Sequence, residues 1–398
     1  MVKRGLLEPN YFPTIRTMTI EIEDAMAITD FKILGYRSIK EMWLKLQPIN
    51  VIMGKNGTGK SNLYRAMYLF SCAANGSFAA AMAEEGGIES ALWAGNWNIT
   101  ERPEINLSVR TDSFEYTLTC GLAGDVIRPG FFSTDPVITS EVVYRIYSGK
   151  PKKRILQRRM KSITARNSQG ADVEYTLKVA DNQSVLAVLR DPVTFPEMFA
   201  IREELLGWRF YHGFRKDIDS PLRSPQNCIM TPVLSHDGHD LASALATIAE
   251  VGDEEELSFS IQEAFPGSKL IIKKTSAGLR IALDQPGLER ETESRELSDG
   301  TLQYLCLLGA LLSITPPPVM ILNEPENSLH PRLFAPLARL IMKASQNSQI
   351  WLTTHSQDLA DAITELSGYS PYELTKVAGQ SKLVGAGLGG YREAEDDD

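Results

Sequence analysis

The chain has 398 residues, 43% of them hydrophobic and 23% charged, a balance that supports a sizeable core and one large α/β domain or two medium ones. Lys and Arg number 41 against 50 Asp and Glu, a formal net charge of −9. That excludes a generally basic, histone-like nucleic-acid binder and leaves room only for a local basic patch.

Taken from the N-terminus, the first 27 residues lack clear periodicity and an unbroken apolar run. They read as an N-terminal extension rather than a signal peptide. Pro48-Ile49-Asn50-Val51-Ile52-Met53 reads as a short buried strand. It runs into Gly54-Lys55-Asn56-Gly57-Thr58-Gly59-Lys60-Ser61, which fits G-x-x-x-x-G-K-[ST] at every fixed position. Residues 62–70 then read as a helix. In this arrangement backbone N–H groups and the helix N-terminus converge on phosphate oxygens. Glycines are needed because side chains would block the approach. Lys60 is expected to reach the β- and γ-phosphates and Ser61 to ligate Mg²⁺. Such a loop alone does not choose between a kinase, a GTPase, a helicase and an ABC-type ATPase.

From Lys60 to Ser298 there are 298 − 60 = 238 residues. Alternating apolar and polar residues over 104–109 and 113–118 read as strands. No a/d heptad is sustained, so no long coiled coil is expected. An antiparallel β portion should come first and a helical insertion near 191–260 second. Between Glu141 and Asp172 no acidic residue occurs, while Arg145, Lys150, Lys152, Lys153, Arg154, Arg158, Arg159, Lys161 and Arg166 supply nine positive charges. Lys152, Lys153, Arg154, Arg158 and Arg159 are the candidate contacts of this run to a DNA phosphate backbone. A solvated hairpin and a docking surface for an acidic protein are the competing readings. Cys72, Cys120, Cys228 and Cys306 lie far apart with no CxxC pair, so a zinc finger and a disulfide framework are not expected, and a reducing, cytoplasmic setting fits.

Glu296-Leu297-Ser298-Asp299-Gly300-Thr301 precedes an apolar, helix-like run over 302–313. Ser at a helix start, followed by Gly, offers a hydroxyl and N–H groups to an anion, and equally reads as an ordinary N-cap. The apolar stretch 302–314 is 13 residues long, short of the roughly 20 that a membrane span needs. Pro316 to Glu326 contains an apolar run ending in Asn323-Glu324-Pro325-Glu326. It reads as a buried parallel strand delivering carboxylates to the C-terminal edge of a sheet, where ligands bind in such folds. Gln349-Ile350-Trp351-Leu352-Thr353-Thr354-His355-Ser356 repeats the pattern, a strand with a polar tip bearing His355. The last six residues, Glu393-Ala394-Glu395-Asp396-Asp397-Asp398, read as a solvated acidic tail.

The order of phosphate loop, LSDGT, apolar run with NEPE, and TTHS resembles the ABC-type ATPase heads of the RecF, SMC and OLD group. More closely it is similar to the stand-alone bacterial predicted ATPases of AAA-family or RecF-like type. Phe31-Lys32-Ile33-Leu34-Gly35-Tyr36-Arg37-Ser38-Ile39 and the stretch from Phe210-Tyr211-His212-Gly213-Phe214-Arg215 to Ser220-Pro221-Leu222-Arg223 resemble the same group. The likeness runs from about Ile28 to His355.

The resemblance implies an α/β fold, a P-loop NTPase of ABC-head type with a mixed sheet, an antiparallel β portion and a helical insertion. The head would span 28–380, with lobe I over 28–190, the insertion over 191–260, lobe II over 261–380, and an acidic tail over 381–398. By position, Gly54, Lys55, Asn56, Gly57, Thr58, Gly59, Lys60 and Ser61 would hold ATP. Arg37 or Tyr36 would touch the nucleotide. Glu324 would polarise the attacking water and His355 would sense the γ-phosphate. Ser298, Asp299 and Gly300 would form a signature motif that completes the site of a second subunit in an ATP-dependent homodimer, with Ser328-Leu329-His330 as the loop joining the halves. The Q-loop glutamine has no clear place; Gln226 is the candidate. Asn323 stands where such heads usually carry Asp, which implies a weaker hold on Mg²⁺ and slow turnover.

The implied function is an ATP-hydrolysing enzyme that dimerises on ATP and acts on or beside DNA, in repair or defence. The alternative is an ATP-gated switch or scaffold that recruits or restrains a separate effector protein such as a nuclease. With 398 − 355 = 43 residues after His355, the Toprim nuclease domain of OLD proteins is not expected, and any nuclease is expected to come from a partner.

Overall fold

A computed structural model describes residues 28–97, 103–122, 135–175 and 179–385. The expected N-terminal extension and residues 386–398 of the acidic tail lie outside the described residues.

Three apolar runs form the centre. Ile49–Gly54, Val319–Asn323 and Gln349–Thr354 are almost wholly buried, as strands covered on both faces must be. They belong to a six-stranded sheet ordered Arg209–Tyr211, Val319–Asn323, Gln349–Thr354, Ile49–Gly54, Tyr372–Val377 and Gln380–Leu383. The first five strands run parallel and the last is antiparallel. Register aligns their C-terminal tips: Leu322 stands beside Tyr211, Asn323 beside Thr353, and Thr354 beside Met53. The residues just beyond these tips therefore gather at one edge.

An eight-stranded antiparallel sheet covers one side, in the order Ile39–Lys45, Ile28–Tyr36, Glu104–Thr111, Phe114–Gly121, Val137–Tyr147, Lys150–Arg159, Ser162–Arg166 and Asp172–Glu174. Its strands alternate: Ile105, Leu107 and Val109 face inward, as do Phe114, Tyr116 and Leu118 across the pair. The helix Lys60–Asn75 is packed between the two sheets, so it buries residues on nearly every side. Phe31 meets Phe70 at 6.3 Å and Trp351 at 5.8 Å, and Phe70 meets Tyr116 at 5.3 Å, all edge to face. On the far side of the parallel sheet, helices Leu241–Val251, Asp299–Leu311, Phe334–Ala344 and Gln357–Ser367 bury a second core with Val51, Met320, Leu322 and Leu352.

Two boundaries differ from expectation. The segment expected as a helical insertion holds helices Pro196–Gly207 and Leu241–Val251, but also Arg209–Tyr211, the edge strand of the parallel sheet. Three residues carry no readable periodicity, so this strand is set by its pairing alone. The strand Gln380–Leu383 crosses the expected start of the acidic tail, and Ser381 is tied to the phosphate loop. Among the described residues the longest helix has 16 residues, so they contain no long coiled-coil arm. No described helix is long and apolar enough to cross a membrane. All four cysteines are free thiols.

Candidate nucleotide site

The loop after Ile49–Gly54 is shaped by its glycines. Gly57 and Gly59 adopt φ of +81° and +106°, values that favour glycine. A Cβ on Gly59 would lie 2.2 Å from Ser381 Oγ, and one on Gly54 would lie 2.6 Å from Thr58 Oγ1. A directed hydrogen-bond chain fixes the loop from outside. Asn62 Nδ2 donates to Ser38 Oγ (2.8 Å), Ser38 bonds Ser381 Oγ (2.7 Å), and Ser381 Oγ donates to the Thr58 carbonyl (2.6 Å). Inside the loop, Thr58 Oγ1 donates to the Lys55 carbonyl at 2.8 Å.

The helix begins at Lys60 with no acidic residue in its first turn. Its first N–H groups lack intrahelical acceptors, and its positive end faces the loop. Lys60 is only 4% exposed. Its Nζ donates to the Gly54 carbonyl at 2.6 Å and lies 3.6 Å from Glu324 Oε1. Ser61, one residue on, is exposed. Together these residues border an open cleft of about 730 Å³, also lined by Arg37, Ser38, Asn56, Trp93, Gly95, Lys376 and Gly379. Arg37 thus reaches the cleft wall, although its guanidinium pairs with the Glu85 carboxylate, which also holds Arg65 at 3.1 Å. Tyr36 is fully buried, so the cleft wall here belongs to Arg37.

The neighbouring strand tips complete the edge. Glu324 has a positive φ of 47°; its N–H donates to the Thr353 carbonyl at 2.9 Å, and Asn327 Nδ2 donates to its carboxylate at 3.1 Å. Asn323 Oδ1 accepts the Thr353 hydroxyl at 2.9 Å. His355 is 46% exposed, and its Nδ1 lies 3.1 Å from Glu326 Oε1. Glu326 also accepts the Thr354 hydroxyl at 2.5 Å and the His355 N–H at 3.0 Å. It is a buried carboxylate that aims the histidine, a role the sequence reading did not give it. Its only signal was a second acid after Glu324. Among the described residues no group of three His, Cys, Asp or Glu forms a metal cluster.

His212 was also missed as a site residue. It follows Tyr211, whose partner is Leu322, so it stands at the edge beside Asn323. Its ring packs 5.2 Å from that of Tyr64. Burial and then Arg65 hold its pKa below the usual value, against the pull of Glu324. Gln226, by contrast, does not line this cleft. Its backbone pairs with Leu279, and its buried side chain accepts the Ala242 N–H at 2.6 Å, tying the start of the helix Leu241–Val251.

Ser298 caps the helix Asp299–Leu311, its Oγ accepting the Thr301 N–H at 3.2 Å. Gly300 packs against the next loop, where a Cβ would lie 2.5 Å from the Ser328 carbonyl oxygen. Lys216 Nζ donates to Gln303 Oε1 at 2.7 Å, and Gln303 Nε2 to the Pro325 carbonyl at 3.2 Å. The helix Asp299–Leu311 is therefore hydrogen-bonded to the loop that follows Glu324. Ser298, Asp299 and Gly300 do not line their own chain's cleft.

The basic run is thinner than its sequence suggests. Arg158 is 1% exposed; it donates to the carbonyls of Met160, Gln183 and Ala180, beside the buried Glu141. Strand alternation turns it inward, and it cannot touch DNA. Lys152 pairs with Glu115 at 2.9 Å and sits 4.5 Å over the Tyr144 ring. Lys150, Lys153, Arg154, Arg159 and Lys161 remain exposed.

No curated protein matches the chain significantly. Among solved structures it is similar in fold to an SMC head bound to the C-terminal winged-helix domain of ScpA, at 16% identity over 90% of this chain and 97% of that one, with a TM-score of 0.49. An SMC head domain from Thermotoga maritima matches at 15% identity over 91% and 100%, with a TM-score of 0.43. An Smc head with an extended coiled coil bound to the C-terminal domain of ScpA, from Pyrococcus furiosus, matches at 15% identity over 90% and 95%, with a TM-score of 0.48. The family profile described as "AAA domain, putative AbiEii toxin, Type IV TA system" matches residues 49–361, more than half of the chain. With its phosphate loop, acidic strand tip and histidine tip on one sheet edge, the chain belongs to this AAA_21 family of ATPase-type domains.

Proposed function

We propose that the chain binds ATP with Mg²⁺ in the cleft beside Lys60 and hydrolyses it, and that two copies are needed for full activity. The observation that carries this reading is the convergence of Lys60, Glu324 and His355 on one sheet edge, with Lys60 Nζ 3.6 Å from Glu324. The glycine cradle and the uncompensated helix N-terminus suit phosphate oxygens. Lys60 would exchange the Gly54 carbonyl and Glu324 for the β- and γ-phosphates. Glu324, oriented by Asn327, would hold the attacking water and accept its proton. His355, aimed by Glu326, would bond the terminal phosphate. Ser61 and Asn323 would hold Mg²⁺, which when bound neutralises charge on the phosphates. Asn323 is neutral, so the metal would lean on phosphate oxygens and turnover would be slow.

Ser298, Asp299 and Gly300 lie off their own cleft, which supports a composite site completed by a second copy. A DNA contact, if made, would use the exposed Lys153, Arg154 and Arg159 rather than the whole basic run. The neutral Asn323 favours a second reading, an ATP-gated switch whose closed form engages an effector protein. ATP turnover and sedimentation mass, measured with Mg²⁺, with and without DNA, against Lys60→Ala, test the proposal. Turnover that rises faster than linearly with protein concentration and vanishes in Lys60→Ala is expected. A wild-type chain that binds no ATP would overturn it.

A further inference from the structure

Arg223 makes an unusual set of contacts for a residue outside the cleft. Its side chain is 10% exposed. Nε donates to the Lys216 carbonyl at 2.8 Å, and one terminal nitrogen donates to the carbonyls of Leu297 (2.8 Å), Arg295 (3.1 Å) and Ser294 (3.4 Å). The other donates to Asp299 Oδ1 at 2.6 Å. Every acceptor but one belongs to the segment that enters the signature helix. The arginine itself is held in a short strap. Ser220 Oγ donates to the Arg215 carbonyl and accepts the Leu222 N–H, and the Arg223 N–H donates to the Ser220 carbonyl at 3.0 Å. The same strap reaches the signature helix a second time through Lys216 and Gln303.

We infer that Arg223 is the positioning residue that shapes the loop around Ser298, Asp299 and Gly300 to receive the nucleotide phosphate of a second copy, an inference that rests on the composite-site reading above. Two physical arguments carry it. First, one guanidinium collects the Ser294, Arg295 and Leu297 carbonyls ahead of the helix, which fixes the entry angle of the chain and, with Ser298 Oγ capping the Thr301 N–H, leaves the Asp299 and Gly300 N–H groups at the helix start without an intrahelical acceptor. Second, Asp299 is 59% exposed at the start of a helix that would meet a phosphate, where an unpaired carboxylate repels it. The Arg223 ion pair cancels that charge. A lysine can supply the charge but not the rigid fork of five donors.

The test uses full-length chains carrying Arg223→Ala, Arg223→Lys or Lys60→Ala. Melting temperature, affinity for a fluorescent non-hydrolysable ATP analogue, and turnover are read for each chain and for equimolar mixtures. Both Arg223 variants should bind the analogue within about twofold of wild type, because the cleft is intact, and lose about 10²-fold in turnover, the scale of a misplaced catalytic group. Arg223→Lys should not rescue. Mixing Arg223→Lys with Lys60→Ala should restore turnover at least about tenfold above either chain alone, since one hybrid site joins an intact phosphate loop to an intact signature. Wild-type turnover in Arg223→Lys would refute the role of Arg223 alone. So would a loss of turnover that only tracks lost melting temperature and analogue binding. A silent mixture of two folded chains would refute the composite site, and the role of Arg223 with it.

Discussion

Lys60 is neutralised from within: its ammonium lies 3.6 Å from Glu324 Oε1 and is almost fully buried. A terminal phosphate must compete with that carboxylate for Lys60 and also tolerate its charge. Glu324→Gln removes both obstacles. At 3.6 Å the pair is worth between about 1.2 kcal/mol at the dielectric of water and about 4.6 kcal/mol at an effective dielectric of 20. Glu324 keeps part of its hydration, so a net gain of about 1–2 kcal/mol in nucleotide binding is expected, a roughly 5- to 30-fold tighter Kd. Turnover should fall by about 10²- to 10⁴-fold, because the proposed acceptor of the water's proton is gone. The assay is titration of wild type and Glu324→Gln with a non-hydrolysable ATP analogue, at low and high salt, alongside turnover. An unchanged or weaker Kd in Glu324→Gln would refute the idea that Glu324 holds Lys60 back. Preserved turnover would remove Glu324 from the reaction.

Two further predictions concern the scaffold. Burial pushes the Glu204 carboxyl from its ordinary 4.5 up to about 8. The native state thus keeps a proton that the unfolded chain releases, and stability falls as pH rises from about 4.5 through about 8. Glu204→Gln should match wild type near pH 5 in urea unfolding and exceed it by a few kcal/mol near pH 9; equal behaviour at both pH values would refute the assignment. Arg158→Met removes a buried cation that donates to the Met160, Gln183 and Ala180 carbonyls and attracts the buried Glu141, which itself accepts the Tyr116 and Ser184 hydroxyls and the Val185 N–H. It should cost about 3–5 kcal/mol, whereas Lys153→Gln, on the exposed side of the same strand, should change stability by less than about 0.5 kcal/mol. Similar melting temperatures for the two variants would show that Arg158 is not the buried strut its contacts describe.

What was legible in the sequence is local. A glycine loop needs φ values that only glycine adopts freely and a lysine at a set distance, so Gly57, Gly59 and Lys60 can be read from spacing. The buried parallel strands announce themselves as unbroken apolar runs, and Glu324 and His355 follow from being the polar residues at their ends. The alternation of 104–109 and 113–118 yields the antiparallel strands for the same reason, a pleat of period two.

Tertiary structure decided everything that depends on which elements become neighbours. Register between strands far apart in the chain brings Asn323 beside Thr353 and Thr354 beside Met53, and that pairing alone gathers the three tips. Ser381, Glu326, His212 and Arg223 act on the candidate site across separations that no pattern records. Arg158 lies in a run of like charges whose letters give no hint that it turns inward, because one register shift between Val143 and Tyr144 helps set which side chains of the hairpin face the core. Sequence specifies what a segment prefers by itself. The opposing segment, folded against it from hundreds of residues away, determines which of its polar groups are buried, paired or presented.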